Sequence, residues 1–274
     1  MKPYDKKRPF LKWAGGKFKS LDIIKHHLPD SDCFIEPFVG AGSVFLNTDY
    51  PNYILNDINI DLINLFKVVQ TKHEDYIKDV RDLFKPENNK KETYYHLREK
   101  FNASRDDYER ALIFLYLNKF GFNGLCRYNS KGIFNVPFGK YKAVGFQEEK
   151  IINFAEKAQN ATFYCEDFTK IFKIAPKNAV IYCDPPYVPL NDTSLFTSYH
   201  TDGFSHAEQR RLAELAIEGA KTKQQTVLIS NHDTLETRQW YNSAHIETLS
   251  VRRLISSNGD RPQKNELLAI YTPS

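Results

Sequence analysis

A chain of 274 residues, 41% hydrophobic and 26% charged, can bury the core of one large domain or of one domain carrying an insertion. It has no apolar run long enough to span a membrane, and its basic start, MKPYDKKRPFLKW, lacks the apolar stretch of a signal peptide, so a cytoplasmic protein is expected. Cys33, Cys126, Cys165 and Cys183 lie far apart without C-x-x-C spacing, which disfavours a zinc site or disulfide framework and favours reduced thiols.

In chain order, CFIEPF (33–38) predicts a short buried strand, and the glycine turn after it leads through VFLN into a helix. YILNDI (53–58) predicts a second strand ending in an acid. Residues 59–118 carry helical spacing, as in IDLINLFKVV and DYERALIFLYLN, with no convincing strand. Residues 119–142, rich in glycine and aromatics, predict a loop or hairpin. Alternation then resumes with helix EEKIINFAEKAQ, strands ATFYCED and AVIYCD, helix SHAEQRRLAELAIEGAK and strand TVLISN. Two extended runs, HIETLSVRRLI and NELLAIYTP, flank a polar SSNGDRPQK (256–264). The pattern predicts an α/β fold whose parallel sheet is covered on both faces, with the last two strands antiparallel at one edge. Residues 60–144 interrupt the alternation and read as an inserted domain, leaving 1–59 and 145–274 as the main domain.

The net charge of +4 is unevenly spread. Residues 1–19 hold seven Lys/Arg against Asp5 alone, and residues 117–142 hold five basic residues, six aromatics and no acid. That mixture suits a polyanion with bases to stack on, although a solvated positive loop has the same composition.

FVGAGSVF (38–45) sits where a glycine turn lets a ligand approach the backbone, yet Phe45 stands where a dinucleotide fingerprint needs its third glycine. Asp57, at the end of the next strand, can accept hydrogen bonds from ribose hydroxyls. Together they suggest an adenosine-bearing ligand without a pyrophosphate. FLKWAGGK (10–17) is not a phosphate loop, because Phe18 follows the lysine. Trp13 and Lys17 there can fold over a ligand edge, but an N-terminal arm packing Trp13 as core is the preferred account from these residues alone.

The stretch IYCDPPY (181–187) runs a buried strand into Asp184, Pro185, Pro186 and Tyr187. The prolines end both ladder and helix and stiffen the backbone. Asp184 and the Pro185 carbonyl then form two fixed acceptors suited to one –NH2 group, and Tyr187 offers a face for a planar ring. An exocyclic base amine is a poor nucleophile, since its lone pair is delocalised into the ring. Two acceptors on its hydrogens turn the lone pair out of plane and stabilise developing positive charge. A purely structural turn is the simpler alternative.

FLKWAGGK, EPFVGAGSVF, NKFGFNGLCRYN, FNVPFGKYK, DPPY and SNHDT, in this order, resemble the DNA adenine N6-methyltransferases of the Dam type over nearly the whole chain. The resemblance implies a Rossmann-like S-adenosylmethionine methyltransferase of the alpha group acting on adenine within GATC in duplex DNA. S-adenosylmethionine would lie against Trp13, Lys17, Phe38, Gly40, Asp57 and Asp184, with Asp167 and Phe168 near its adenosine. Asp184, Pro185, Pro186 and Tyr187 would hold the target adenine after it leaves the stack. Residues 193–204 would close over it. In the recognition block Arg127 would read guanine, Leu125 would pack on a thymine methyl, and Tyr141 and Pro137 would assist. Lys12 would contact the outer guanine, Phe122 and Asn123 would fill the space left by the base, and Lys140 and Lys142 would bind phosphate. Phe122 departs from the tyrosine expected there: stacking is kept, and a phenol hydrogen bond is not. Residues 256–264 would pass near the DNA backbone.

The resemblance further implies roles in repair strand-marking and replication control, in a bacterium or a phage. A monomer is expected, with no metal, membrane or obligatory protein partner. A cytosine N4-methyltransferase needs the same two acceptors, and a DNA-binding protein with an inactive methyltransferase fold is the alternative from another class. The missing phosphate loop disfavours an ATPase.

Overall fold

Two of the sequence's apolar runs, VIYC and TVLISNH, are buried residue by residue, as strands covered on both faces must be. The computed structural model describes residues 6–187, 204–251 and 264–273. Its strands are β1 (Cys33–Glu36), β2 (Asn52–Asn56), β3 (Ala161–Tyr164), β4 (Val180–Cys183), β5 (Thr226–His232), β6 (His245–Val251) and β7 (Lys264–Tyr271). They form one sheet in the order β3-β2-β1-β4-β5-β7-β6. β1 pairs parallel with β2 and β4, and β4 pairs parallel with β5. β7 runs antiparallel to β5, and β6 antiparallel to β7, so the two tail strands make the antiparallel edge that the sequence predicts. No helix among the described residues is long and apolar enough to cross a membrane.

The chain divides into two units, Met1–Phe18, Val39–Asp49 and Asn56–Cys165 forming the first and Lys19–Phe38, Tyr50–Leu55 and Glu166–Ser274 the second. The block 60–144 falls wholly within the first unit, whose helices are α2 (Ile60–Leu83), α3 (Lys91–Ala103), α4 (Asp107–Phe120) and α5 (Glu148–Ala158). Helix α2 starts at Asn59, whose side-chain oxygen accepts from the Leu62 N–H, and α4 starts at Asp106, which accepts from the Glu109 N–H. Phe10, Phe66 and Phe154 pack edge-on and tilted, with ring centroids 4.5–6.1 Å apart, at the centre of this unit's core. Asp61 is buried and ion-paired with Arg110.

The second unit contains α1 (Leu21–His26), α6 (Phe168–Ile174), α7 (His206–Lys223) and α8 (Leu235–Trp240). A capping box between Ser205 and Glu208 opens α7, and Leu212, Ala213, Leu215 and Ala216 form its buried face.

One expected element is much shorter than predicted. After the glycine turn, residues Phe45–Asn47 make a single 3-10 turn and no α-helix follows. Asn47 donates to the Ser43 carbonyl, and the Thr48 hydroxyl reaches the carbonyls of Val44 and Phe45. Side chains thus take up carbonyls that a further helical turn would use, and Pro51 supplies no N–H to continue it.

Near the end of α4, Lys119 is 7% exposed and reaches Gln147 Oε1 only at 3.4 Å. Burial, with Lys12 and Lys150 nearby, lowers its pKa to about 8. Below about pH 8 the ammonium is charged in both folded and unfolded chains, and the cost of burying it is fully present. As pH rises towards the unfolded value of about 10.5 that cost disappears. Lys119→Met is therefore expected to stabilise the protein at pH 7 by on the order of 1–3 kcal/mol, with the gain shrinking between pH 8 and 10. Paired urea melts over that range would contradict this if the difference stayed constant.

Candidate functional site

In the second unit the strand order reverses between β1 and β4, and the crevice at the carboxyl ends of such strands is where parallel sheets bind ligands. Phe38 lies two residues beyond β1, and Asp184–Tyr187 directly follow β4. The Phe38 ring packs against Phe168 at 5.6 Å and Phe204 at 5.4 Å, and those two lie 5.2 Å apart. Asp167 is exposed and caps α6, accepting from the Thr169 N–H at 2.9 Å.

Asp184 is half-buried, Pro185 buried and Pro186 exposed. Beneath this turn lies a closed set of buried amides and a phenol. Gln209 on α7 donates to the Pro186 carbonyl at 2.9 Å, and its own oxygen accepts from Asn231 at 2.9 Å and from the Tyr241 hydroxyl at 3.1 Å. Asn231 also donates to Tyr241 at 3.0 Å. The Tyr187 hydroxyl donates to Glu266 at 3.3 Å, and its ring meets His232 edge-on at 4.8 Å. Burial and the neighbouring Asp184 push the Tyr187 phenol far above its ordinary pKa, so it remains a donor. Sequence reasoning assigned no role to Gln209, Tyr241 or Glu266. The available signal was Gln209 itself, a polar residue on the apolar face of an amphipathic helix.

In the first unit, Gly40 and Gly42 both adopt left-handed backbone, with φ of 48° and 75°. The Gly40 N–H donates to Asp57 Oδ2 at 3.1 Å, and the Asn59 N–H donates to Oδ1 at 3.0 Å. Burial raises the Asp57 pKa, and these two N–H groups pull it back. A Cβ on Gly40 would stand 2.9 Å from the Trp13 ring, so only glycine admits that ring. Trp13 is thus half-buried on the glycine turn and does not belong to the core, contrary to the account preferred from its own stretch. Lys17 is buried and donates to the Gly15 carbonyl at 2.7 Å. Ile58, next to Asp57, leaves an apolar side chain 77% exposed, a neighbour the motif reading passed over.

The 119–142 segment is a hairpin only in outline, closed by single bridges Gly121↔Phe138 and Tyr128↔Phe134. Left-handed Asn123, Gly124, Gly132 and Lys140 break longer pairing. Lys12 and Tyr141, far apart in sequence, meet here. The Lys12 ammonium lies 4.0 Å from the Tyr141 ring centroid and donates to the Lys119 carbonyl at 2.9 Å. Lys12 crosses Gly124, where a Cβ would stand 2.3 Å from its own, and Asn118 holds its backbone from both sides. Arg127 is exposed and donates to Asn135 Oδ1 at 2.7 Å. Phe122 and Leu125 are 47% and 38% exposed, and Asn123, Lys140 and Lys142 are exposed as well. Pro137 is exposed, and its carbonyl accepts from the Phe122 N–H at 2.8 Å. Residues 193–203 and 256–263, for which a closing segment and a backbone contact were expected, lie outside the described residues.

A family model described as D12 class N6 adenine-specific DNA methyltransferase matches residues 13–255. The chain belongs to this family. It is 56% identical over 269 residues to a DNA adenine methylase of Salmonella typhi, covering 98% of this chain and 96% of that one. Identity is 55% to the DNA adenine methylase of Escherichia coli K12, with the same coverage. Against that of Vibrio cholerae O395 it is 52%, covering 98% and 97%. The protein is an adenine-specific DNA methyltransferase.

The buried amides under the Asp184 turn give a first test. Gln209→Met keeps the volume and removes the donor to Pro186. The turnover number is expected to fall on the order of tenfold to a hundredfold, with duplex affinity nearly unchanged. Single-turnover kinetics would refute the assignment if the methyl-transfer rate were that of the parent protein.

Proposed function

We propose that the enzyme methylates adenine N6 within GATC in duplex DNA, using S-adenosylmethionine, after the adenine has left the helix stack. The observation that carries this reading is the Asp184–Tyr187 turn at the end of β4, tied by Gln209 and Glu266. Two acceptors on one –NH2 group need such stiffness, because each must keep its direction while the nitrogen changes geometry.

The residues assigned to the cofactor are Trp13, Lys17, Phe38, Gly40, Asp57, Asp167, Phe168 and Asp184. Their chemistry fits it. Asp57 offers carboxylate acceptors beside a glycine turn, Trp13 and Phe38 offer ring faces, and Ile58 exposes apolar surface beside Asp57. Bound there, S-adenosylmethionine supplies a methyl group on a positively charged sulfur. The protein's part is positional. Asp184 and the Pro185 carbonyl accept the N6 hydrogens and aim the lone pair, and Tyr187 stacks on the base.

Residues 60–144 act as the recognition domain on this reading, with 1–59 and 145–274 as the catalytic one. Arg127 reads a guanine, Lys12 with Tyr141 takes the outer guanine, and Leu125 and Pro137 meet base edges. Phe122 and Asn123 occupy the space left by the base, and Lys140 and Lys142 meet phosphates. The exposure of Arg127, Phe122 and Leu125 on one short segment supports this assignment. The protein is proposed to act as a cytoplasmic monomer.

Digesting treated DNA with nucleases that distinguish methylated from bare GATC tests the site. Asp184→Ala is expected to abolish transfer and leave duplex binding largely intact, and near-normal turnover in this variant would defeat the catalytic assignment. Arg127→Ala is expected to cost about 1–3 kcal/mol of discrimination at one guanine. Equal weakening on every sequence would instead identify Arg127 as a phosphate contact.

A further inference from the structure

Along the extended segment after Gly124, successive side chains turn to opposite sides. Leu125 and Arg127 face outward, while Cys126 and Tyr128 face the first turn of α2. Asn59, the residue that caps α2, donates through Nδ2 to the Cys126 sulfur at 3.2 Å. The Tyr128 hydroxyl donates to Asp61 Oδ2 at 2.6 Å, a short charge-assisted bond. Asp61 Oδ1 accepts from Arg110 Nε at 3.0 Å, and Arg110 donates in turn to the carbonyls of Phe101 and Ser104. The same Asn59 donates its backbone N–H to Asp57, which also holds the glycine turn at Gly40. A continuous hydrogen-bonded path therefore runs within the first unit from Gly40 through Asp57 and Asn59 to Cys126, between the two outward-facing residues.

Neither inward group is suited to chemistry of its own. Burial pushes the Cys126 thiol up to about 12, so it carries no thiolate for attack at neutral pH. Burial, with Cys126 and Asp61 beside it, drives the Tyr128 phenol far above its ordinary value and fixes it as a donor. Its ring packs edge-on against Phe134 across the hairpin at 5.5 Å, so the ring stays anchored if the hydroxyl is removed.

We infer that Cys126 and Tyr128 are positioning residues that join the Asp57 carboxylate, through the start of α2, to the placement of Leu125 and Arg127, so that a ligand on Asp57 sharpens base discrimination. This rests on the proposed roles of Asp57 and Arg127. A ligand that engages Asp57 restrains Asn59, and Asn59 restrains the backbone between the two reading side chains. By reciprocity, the correct DNA site must also tighten the ligand by the same factor.

The test uses the full chain, S-adenosylhomocysteine as the probe, and two duplexes, one with GATC and one with a single guanine replaced. Dissociation constants are measured for each duplex with and without the probe. In the parent protein the ratio between duplexes is expected to grow when the probe is present. Tyr128→Phe is expected to remove about threefold to tenfold of that growth, the worth of one or two hydrogen bonds, while probe affinity in the absence of DNA is kept. Cys126→Ala tests the Asn59 end separately, and thermal melts identify any variant that has lost its fold. A Tyr128→Phe protein that retains the full growth overturns the inference. So does a parent protein that binds the probe and shows no growth, an outcome that leaves the proposed base reading standing. If Arg127→Ala leaves the ratio unchanged in the parent background, the reading fails and the coupling fails with it.

Discussion

The hydrogen bond from Gln209 to the Pro186 carbonyl is the constraint on which the Asp184–Tyr187 turn depends. Two prolines remove the N–H groups by which a loop normally anchors itself, so the turn must be held through its carbonyls and flanking side chains. Gln209 meets that need from a buried position, and Asn231 and Tyr241 satisfy its oxygen. All three side chains are buried, so none can trade its partner for water. A lost bond leaves a desolvated polar group worth about 1–3 kcal/mol, which makes any displaced turn expensive. Tyr187 is held at the other end by Glu266, which pairs in register with His232 across β5 and β7. The antiparallel edge strand thus contributes to the site as well as to the sheet.

Much of this arrangement is legible in the sequence, for physical reasons that differ between its parts. Buried strands such as VIYC and long amphipathic helices such as α7 announce themselves by period, because burial on one face or two dictates the pattern. The short helices α1, α6 and α8 do not, being only six or seven residues long. α6 and α8 are fixed by the caps Asp167 and Thr234 and by packing, which a periodicity window cannot register. The helix expected after the glycine turn fails for the converse reason, since Asn47 and Thr48 compete locally for its carbonyls.

In the candidate site, motifs expose the residues whose chemistry suits a ligand and hide those that support them. Asp184 and Asp57 stand out because a carboxylate at a strand end is costly without a use. Gln209 looks like one more polar residue of a helix, and its value appears only when α7 packs beneath the turn. Lys12 and Tyr141 are separated by most of the first unit, and only Gly124, which leaves room for the lysine stem, brings the ammonium onto the ring. The partners of the inward residues of LCRY, Asn59 and Asp61, lie at the start of a helix far off in sequence, so nothing local in the sequence marks them.

The hydrogen bonds of Arg127 bear on how its proposed reading can be selective. Its guanidinium is exposed, yet Nε already donates to Asn135 Oδ1, and the Asn135 N–H donates back to the Arg127 carbonyl. An arginine free to wander would lose rotamer entropy on any base it met, and would gain attraction from any phosphate. Held by a neutral amide through Nε, the guanidinium is restrained in direction while Nη1 keeps its donors for a further acceptor. On the proposed reading, a guanine edge, with two acceptors in line with the fork, takes two hydrogen bonds where an edge with one acceptor or a donor does not. The restraint lowers the ordering cost of that contact, and the difference in affinity comes from the base edge itself. On the same reading, anchoring of Cys126 and Tyr128 on the opposite side adds to this restraint, because the backbone that carries the fork is then held against shifting to accommodate a wrong partner.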